Sequence, residues 1–194
     1  MRIISEAYKQ QMTFEHENDE SWGTSGPIHA TDVKKCVRRS GSMSVVDYGC
    51  GKALLGRKIK SDMPDLDWVD FDPAVKGRRV LPDKSDMVVC TDVMEHVEEE
   101  YVDNVLEHIA SLFERCVYLH IACTPAAKKL SDGRNAHITQ KPISWWVDKI
   151  ESHFPNTKKE YRKNQANQRG GRLPKKDIAL TVEIYNTDAI QADR

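Results

Sequence analysis

Two glycines one residue apart, Gly49 and Gly51, follow a short apolar run (Val45, Val46) that ends in an acid, Asp47, within the stretch Ser44 to Gly56. Beyond them Leu54, Leu55 and Ile59 fall at helical spacing, so the stretch reads as strand, tight turn and helix. Glycine suits a backbone that turns sharply with positive φ and admits a ligand where a Cβ would stand in the way. The helix start beyond offers unpaired N–H groups to polar or anionic ligand groups. A nucleotide-like cofactor fits such a turn.

A second acid supports that chemistry. Asp72 ends the alternating run Leu66 to Asp72 and lies 23 positions after Gly49. That is near the separation at which α/β nucleotide folds place a carboxylate on the ribose hydroxyls. Four side chains further on are candidates for proton transfer or substrate orientation: His137, His120, Asp92 and His96. His137 falls in a polar loop after the fifth predicted strand, at the carboxyl edge where open α/β sheets bind ligands; an imidazole there can act as a base near neutral pH, and can equally be a surface or loop-stabilising residue. His96 can equally cap or pack at a helix start, and His120 can equally be a hydrogen-bonded core residue. The acids Asp92, Glu95, Glu98, Glu99 and Glu100 lack a clear facing histidine pair in the sequence. They read as an exposed acidic first helical turn, favourable to the helix dipole, and no metal is expected.

The elements that position these residues follow from the patterning. The first ~40 residues hold two helices, the second from about Thr31 to Arg39, joined through the stretch Trp22 to Pro27. That stretch reads either as a loop folding over something or as a surface turn anchored by a core tryptophan. Residues 74 to 85, with Gly77 and Pro82, leave room only for a brief third strand. Asp86 to Thr91 is a buried strand, Glu98 to about Glu114 an amphipathic helix, and Cys116 to Cys123 a central strand. A helix follows near Pro142 to Phe154, then strands at about Lys158 to Lys163 and Ile178 to Tyr185. Alternation of strand and helix predicts a parallel sheet covered on both faces, closed by an antiparallel hairpin.

Bulk properties agree with one domain. The chain has 194 residues, 39% of them hydrophobic, and a formal net charge of −1. That balance excludes a globally basic nucleic-acid binder. With no apolar stretch near ~18 residues and no signal-peptide core, the expectation is a soluble, cytoplasmic protein with no membrane partner. The five cysteines are scattered and odd in number, and read as reduced core thiols.

Three stretches together resemble the class I S-adenosylmethionine-dependent methyltransferases. Val45 to Gly51 is similar to that family's first motif, Trp68 to Pro73 to its second, and Asp86 to Val97 to its post-strand-four motif, in the right order and spacing. The resemblance implies an α/β Rossmann-like fold with a seven-stranded, mostly parallel sheet and an antiparallel C-terminal hairpin. It implies one domain over 1–194, with 1–43 as an N-terminal helical cap and 44–194 as the core. It also implies S-adenosyl-L-methionine as cofactor, contacted by Asp47, Gly49, Cys50, Gly51, Asp72, Pro73, Thr91, Asp92, Val93 and His96. Asp47 would lie near the methionine ammonium and Asp72 on the ribose. His137 and Asp92 are then the catalytic candidates. The family often has a third glycine where this chain has Ala53, the smallest replacement. A nicotinamide-dependent dehydrogenase would need glycine at Leu54 and a second domain.

The segment Asp132 to His137, followed by Trp145 and Trp146, is similar to a group of poorly characterised bacterial and phage methyltransferases. Trp22, Arg134, Asn135 and His137 are accordingly placed on the acceptor side. Arg169 and Arg172 join them from the basic stretch Lys158 to Lys176, which holds Glu160 as its one acid before residue 177. This asymmetry reads either as recognition of a small anionic acceptor or as a solvated basic hairpin with no role. A nucleic-acid methyltransferase using the basic hairpin is a second reading, and a cofactor-binding partner protein without transfer activity is a third. The sequence does not fix an oligomeric state.

Overall fold

The structure is a computed structural model that describes residues 1–166 and 176–191. Chain order is α1 (Glu6–Asn18), α2 (Ala30–Ser40), β1 (Ser44–Tyr48), α3 (Leu54–Lys60), β2 (Asp67–Phe71), β3 (Ser85–Thr91), α4 (Val102–Leu112), β4 (Phe113–Ala122), α5 (Ile143–His153), β5 (Lys158–Ala166), β6 (Lys176–Tyr185) and α6 (Thr187–Gln191). Short 3₁₀ turns cover Gly26–His29, Met94–His96 and Glu99–Tyr101. The strands form one sheet in the order β2-β1-β3-β4-β6-β5. β2, β1, β3 and β4 are parallel, while β6 runs antiparallel between β4 and β5.

Alternation along the strands fills both faces. Val46, Val88, Val117 and Leu119 join a core with Leu106 and Ile109 of α4 and Trp146 and Ile150 of α5. Their neighbours Val45, Met87, Val89 and Tyr118 join a second core with Val33 and Val37 of α2 and Leu55 and Ile59 of α3. A third, smaller cluster holds Tyr8, Met12, Trp22, Ala74, Leu130 and Ala136. It seats α1 on the loops that leave the carboxyl ends of the parallel strands. All five cysteines are free thiols, four of them buried. Among the described residues no helix is long and apolar enough to cross a membrane.

Two expectations are corrected. The described residues contain six strands, not seven, because 74–84 form no strand. The chain turns back at once after β2, with Val75 N–H bonded to the Asp72 carbonyl and Asp72 N–H to that of Arg78. Pro82 further removes a donor that a ladder would need. The helix expected from Glu98 begins only at Val102, and Phe113 opens β4 instead of closing that helix. Val97 and Glu98 are extended, with ψ of 136° and 133°. Glu98 is committed elsewhere: its carboxylate accepts the Ser5 N–H (2.8 Å) and the Ser5 hydroxyl (2.6 Å).

Candidate functional site

The glycine turn after β1 is held from both sides. Gly49 N–H and Cys50 N–H both donate to the Phe71 carbonyl at the end of β2 (2.7 and 3.1 Å). Gly49 takes φ of +78°, and a Cβ there would lie 2.4 Å from Val93 Cγ2. Gly51 takes φ of +51°, and a Cβ there would lie 2.7 Å from the carbonyl oxygen of Gly23. Steric need for glycine at Gly51 thus comes from the Trp22–Pro27 stretch, whose Gly23 carbonyl also accepts the Lys52 N–H (3.0 Å). Both readings of that stretch describe part of the fold: it packs on the glycine turn, and Trp22 is buried in the third core cluster. Ala53 adopts φ of +56°, so the backbone keeps the left-handed conformation that glycine favours.

A cavity of about 510 Å³ opens beside this turn, at the carboxyl edge of the sheet. Tyr8, Met12 and His16 of α1 cover it, Gly49, Gly51, Asp72 and Pro73 form one wall, and Asp92, Val93, Glu95, His96 and His137 form another. Ser5 caps α1, its Oγ accepting the Tyr8 N–H (3.1 Å) while donating to Glu98. The covering helix is therefore tied to the chain just beyond β3. The Asp72 carboxylate accepts the Gly51 N–H (3.1 Å) and the Ala74 N–H (2.9 Å), pinning the turn to the end of β2. Among the described residues, Asp47 Oδ2, His16 Nδ1 and Tyr8 Oη are buried here with no hydrogen-bond partner. Burial pushes the Asp47 carboxyl well above its usual range, and the neighbouring Asp70 and Asp72 add to the effect. Burial also lowers His16, against the pull of Asp72 4.0 Å away.

Two histidine–carboxylate groups flank the far wall. Asp92, at φ of +55°, accepts from His29 Nε2 at 3.0 Å, and His120 Nε2 lies 3.7 Å away. Burial alone would raise Asp92. The His29 hydrogen bond and charge, with Ser25 and His120, outweigh it and hold this carboxyl below its usual range. His120 in turn is bonded through Nδ1 to Thr181 Oγ1 (2.9 Å). In the second group the His96 and His137 rings face each other edge to face at 4.9 Å, with Glu95 beneath them. Glu95 is fully buried: Oε1 accepts the Ala122 N–H (3.1 Å), and Oε2 has no partner among the described residues. Burial, with Asp92 nearby, pushes its carboxyl up to about 8, and burial beside His137 lowers His96 to about 4.

The fold thus brings Trp22, Gly49, Gly51, Asp72, Pro73, Asp92, Val93, His96 and His137 to one cavity. Asp47, Cys50 and Thr91 are buried behind its walls. Asn135 braces the loop: its Oδ1 accepts the Ala126 and His137 N–H groups (2.9 and 3.0 Å). Arg134 turns outward to Asp132 and Gln11 and stacks on Tyr8 from outside. Arg169 and Arg172 lie outside the described residues. Four bases of β5 are paired with acids: Lys158 with Glu160, Lys159 with Glu151, Arg162 with Glu183 and Lys163 with Asp177. Glu151 comes from α5, and Asp177 and Glu183 from β6 beyond residue 176, so a count of charge from Lys158 to Lys176 leaves them out.

Glu95 corrects the reading of an exposed acidic helical turn, because it sits in a 3₁₀ turn before the helix and points inward. Sequence reasoning missed Tyr8, His16, His29 and Lys128. The first three belong to the N-terminal segment, whose helix α1 shows little amphipathic pattern. Lys128 lies over the Trp22 ring at 5.4 Å and pairs with Asp19.

No protein-family model matches the sequence, and no curated protein matches it. Solved structures do resemble the fold. A 1,6-didemethyltoxoflavin-N1-methyltransferase from Burkholderia thailandensis, with its substrate and S-adenosylhomocysteine bound, superposes with a TM-score of 0.62 at 10% identity over 92% of this chain and 88% of that one. The plantazolicin methyltransferase BpumL, in complex with a substrate analogue and S-adenosylhomocysteine, gives 0.59 at 11% identity over 93% and 91%. The mitomycin 7-O-methyltransferase MmcR gives 0.57 at 14% identity over 90% of this chain, which spans 60% of that enzyme's length. At these identities the likeness shows the fold alone, an α/β fold shared with these methyltransferases.

Proposed function

We propose that this protein is an S-adenosylmethionine-dependent methyltransferase acting on a small acceptor. One observation carries the reading: the ends of all three motif stretches, at Gly49 and Gly51, Asp72 and Pro73, and Asp92, Val93 and His96, line a single cavity that His137 also faces. Its size suits a cofactor and a small molecule better than a duplex. The residues fit the cofactor by an independent mark, the unpartnered Asp47 Oδ2 behind the glycine turn and His16 Nδ1 and Tyr8 Oη on the cavity's roof. Buried polar atoms of this kind are stable only with a ligand or water to bind.

In this reading Gly49, Gly51 and Asp47 hold the methionine end, and Asp72 holds the ribose while keeping the turn in place. The bound cofactor supplies an electrophilic methyl group. The protein's part is to orient the acceptor and exclude water, for which α1, Trp22 and the Pro125–Lys128 segment close the cavity. His137 donates through Nδ1 to the Thr124 carbonyl (2.5 Å), so Nε2 carries the lone pair, and we assign that atom to the acceptor's side. The acceptor's negative charge belongs to the proposal through Arg169 and Arg172.

Calorimetry tests the reading. S-adenosylmethionine and S-adenosylhomocysteine should bind the purified protein at one site, and NAD should not. Absence of binding, or equal binding of NAD, overturns it.

A further inference from the structure

Three side chains able to ligate a metal ion, Glu95, His96 and His137, meet at the cavity wall. His96 Nδ1 lies 2.8 Å from the Ala136 carbonyl and His137 Nδ1 lies 2.5 Å from the Thr124 carbonyl. A carbonyl only accepts, so both imidazoles carry their hydrogen on Nδ1 and present the Nε2 lone pair. Glu95 completes the group, fully buried and with Oε2 unpartnered. One ligand atom from each of the three residues lies within 4.8 Å of the others.

Among the described residues no hydrogen bond joins these three side chains to one another. His137 Nε2 and Glu95 Oε1 are 4.0 Å apart, too far for a shared proton. The surroundings hold the geometry firmly. Glu95 Oε1 accepts the Ala122 N–H, Thr139 N–H donates to the Glu95 carbonyl (3.0 Å), and Thr139 Oγ1 donates to the Val97 carbonyl (2.6 Å). Imidazole N–H groups pinned on backbone carbonyls are the outer-shell arrangement that fixes a metal-binding histidine. The neighbouring group of His29, Asp92 and His120 differs: His29 donates to Asp92 at 3.0 Å, and His120 is bonded through Nδ1 to Thr181 Oγ1.

We propose that Glu95, His96 and His137 bind a divalent first-row transition-metal ion, and that its open positions take an oxygen of the methyl acceptor. Two imidazoles and one carboxylate favour zinc, manganese, iron or cobalt over magnesium or calcium, which prefer all-oxygen shells. Ligand atoms around such an ion stand roughly 3.3 Å apart, so a small rotamer closure completes the shell. Three protein ligands leave the cavity side of the ion free. The second half of the proposal rests on the methyltransferase reading, and the first half does not. It gives His137 a ligand's part in place of a base's, with an acceptor hydroxyl losing its proton to water on coordination.

The experiment titrates chelator-treated protein with Co²⁺, read by its visible absorption, and with Mn²⁺, read by electron paramagnetic resonance. The expected result is one site at micromolar metal. It should be weakened about 100-fold or more in both Glu95→Gln and His137→Asn, and retained in His29→Asn and His120→Asn. Circular dichroism and melting of each variant separate lost binding from lost folding, and the two ligand variants back each other up. No binding by the wild type overturns the proposal, as does binding lost in His29→Asn or His120→Asn but kept in Glu95→Gln. S-adenosylmethionine calorimetry on the same samples keeps the two readings apart. Cofactor binding without metal binding sinks only this inference, and metal binding without cofactor binding sinks only the methyltransferase reading.

Discussion

Gly51 and Gly23 pack backbone to backbone, so closely that a Cβ on Gly51 would lie 2.8 Å from the Gly23 Cα. Gly23 has φ of +66°, and its own Cβ would lie 2.8 Å from His16 Cε1. The N-terminal loop therefore seats on the glycine turn and carries Trp22 and His16 to the cavity with it. Gly23→Ala should lower stability by about 2 kcal/mol, from left-handed backbone strain and the displaced His16 ring together. It should also weaken cofactor binding. Denaturant unfolding measures the first effect, and a variant as stable as wild type would mean that the loop does not rest there.

Asp72 is both a tie within the turn and a candidate ligand, and the two roles can be separated. Asp72→Ala removes the acceptor of the Gly51 and Ala74 N–H groups, while Asp72→Asn keeps one acceptor oxygen. Alanine should weaken S-adenosylmethionine at least tenfold, or ~1.5–3 kcal/mol, and also destabilise the fold. Asparagine should weaken the cofactor with a smaller loss of stability. Calorimetry and melting on the pair give both readouts. If stability falls and affinity does not, Asp72 is only a tie.

The covering helix depends on one contact far apart in sequence. Glu98 receives both the N–H and the hydroxyl of Ser5, and the Ser5 Oγ caps α1 through Tyr8. Glu98→Ala removes the anchor and leaves an N-cap free to fray. Hydrogen exchange should speed up over residues 6–12 by about tenfold or more, with the sheet unchanged. Exchange confined to its wild-type rate would show that α1 is held by Tyr8 and Met12 packing alone.

What the sequence revealed was the part whose signals are local. Gly49, Gly51 and Asp72-Pro73 mark strand ends by residue type, and Val102, Val105, Leu106 and Ile109 mark α4 by spacing. The site's other half is assembled by contacts between distant segments. His29 meets Asp92 across 63 positions, and Glu98 meets Ser5 across 93. No periodicity announces such pairs. Glu95 looked solvent-exposed because acids follow it at Glu98, Glu99 and Glu100, yet the extended Val97 and Glu98 break the helix and turn Glu95 inward. The hairpin's basic excess is real along the chain and is compensated in space by Glu151, Asp177 and Glu183.

Asp47 gives a pH dependence whose sign is fixed by its surroundings. Burial first, then Asp70 and Asp72, raise its carboxyl well above the usual value. A carboxyl raised in the fold favours folding most below its unfolded pKa of about 4, and that contribution is lost as pH rises through the folded value. Asp47→Asn has no proton to lose there and keeps a side chain of the same shape. In ligand-free protein the variant should therefore gain on wild type as pH rises from 5 to 8, by up to about 1.4 kcal/mol for each unit over which the folded wild type retains that proton. Parallel melting curves at several pH values measure the difference. A saturating cofactor should shrink it, because a cationic ammonium beside Asp47 stabilises the ionised form that asparagine lacks. A gap between wild type and variant that stays constant from pH 5 to 8 would mean that Asp47 is already ionised in the fold, with a partner for its Oδ2.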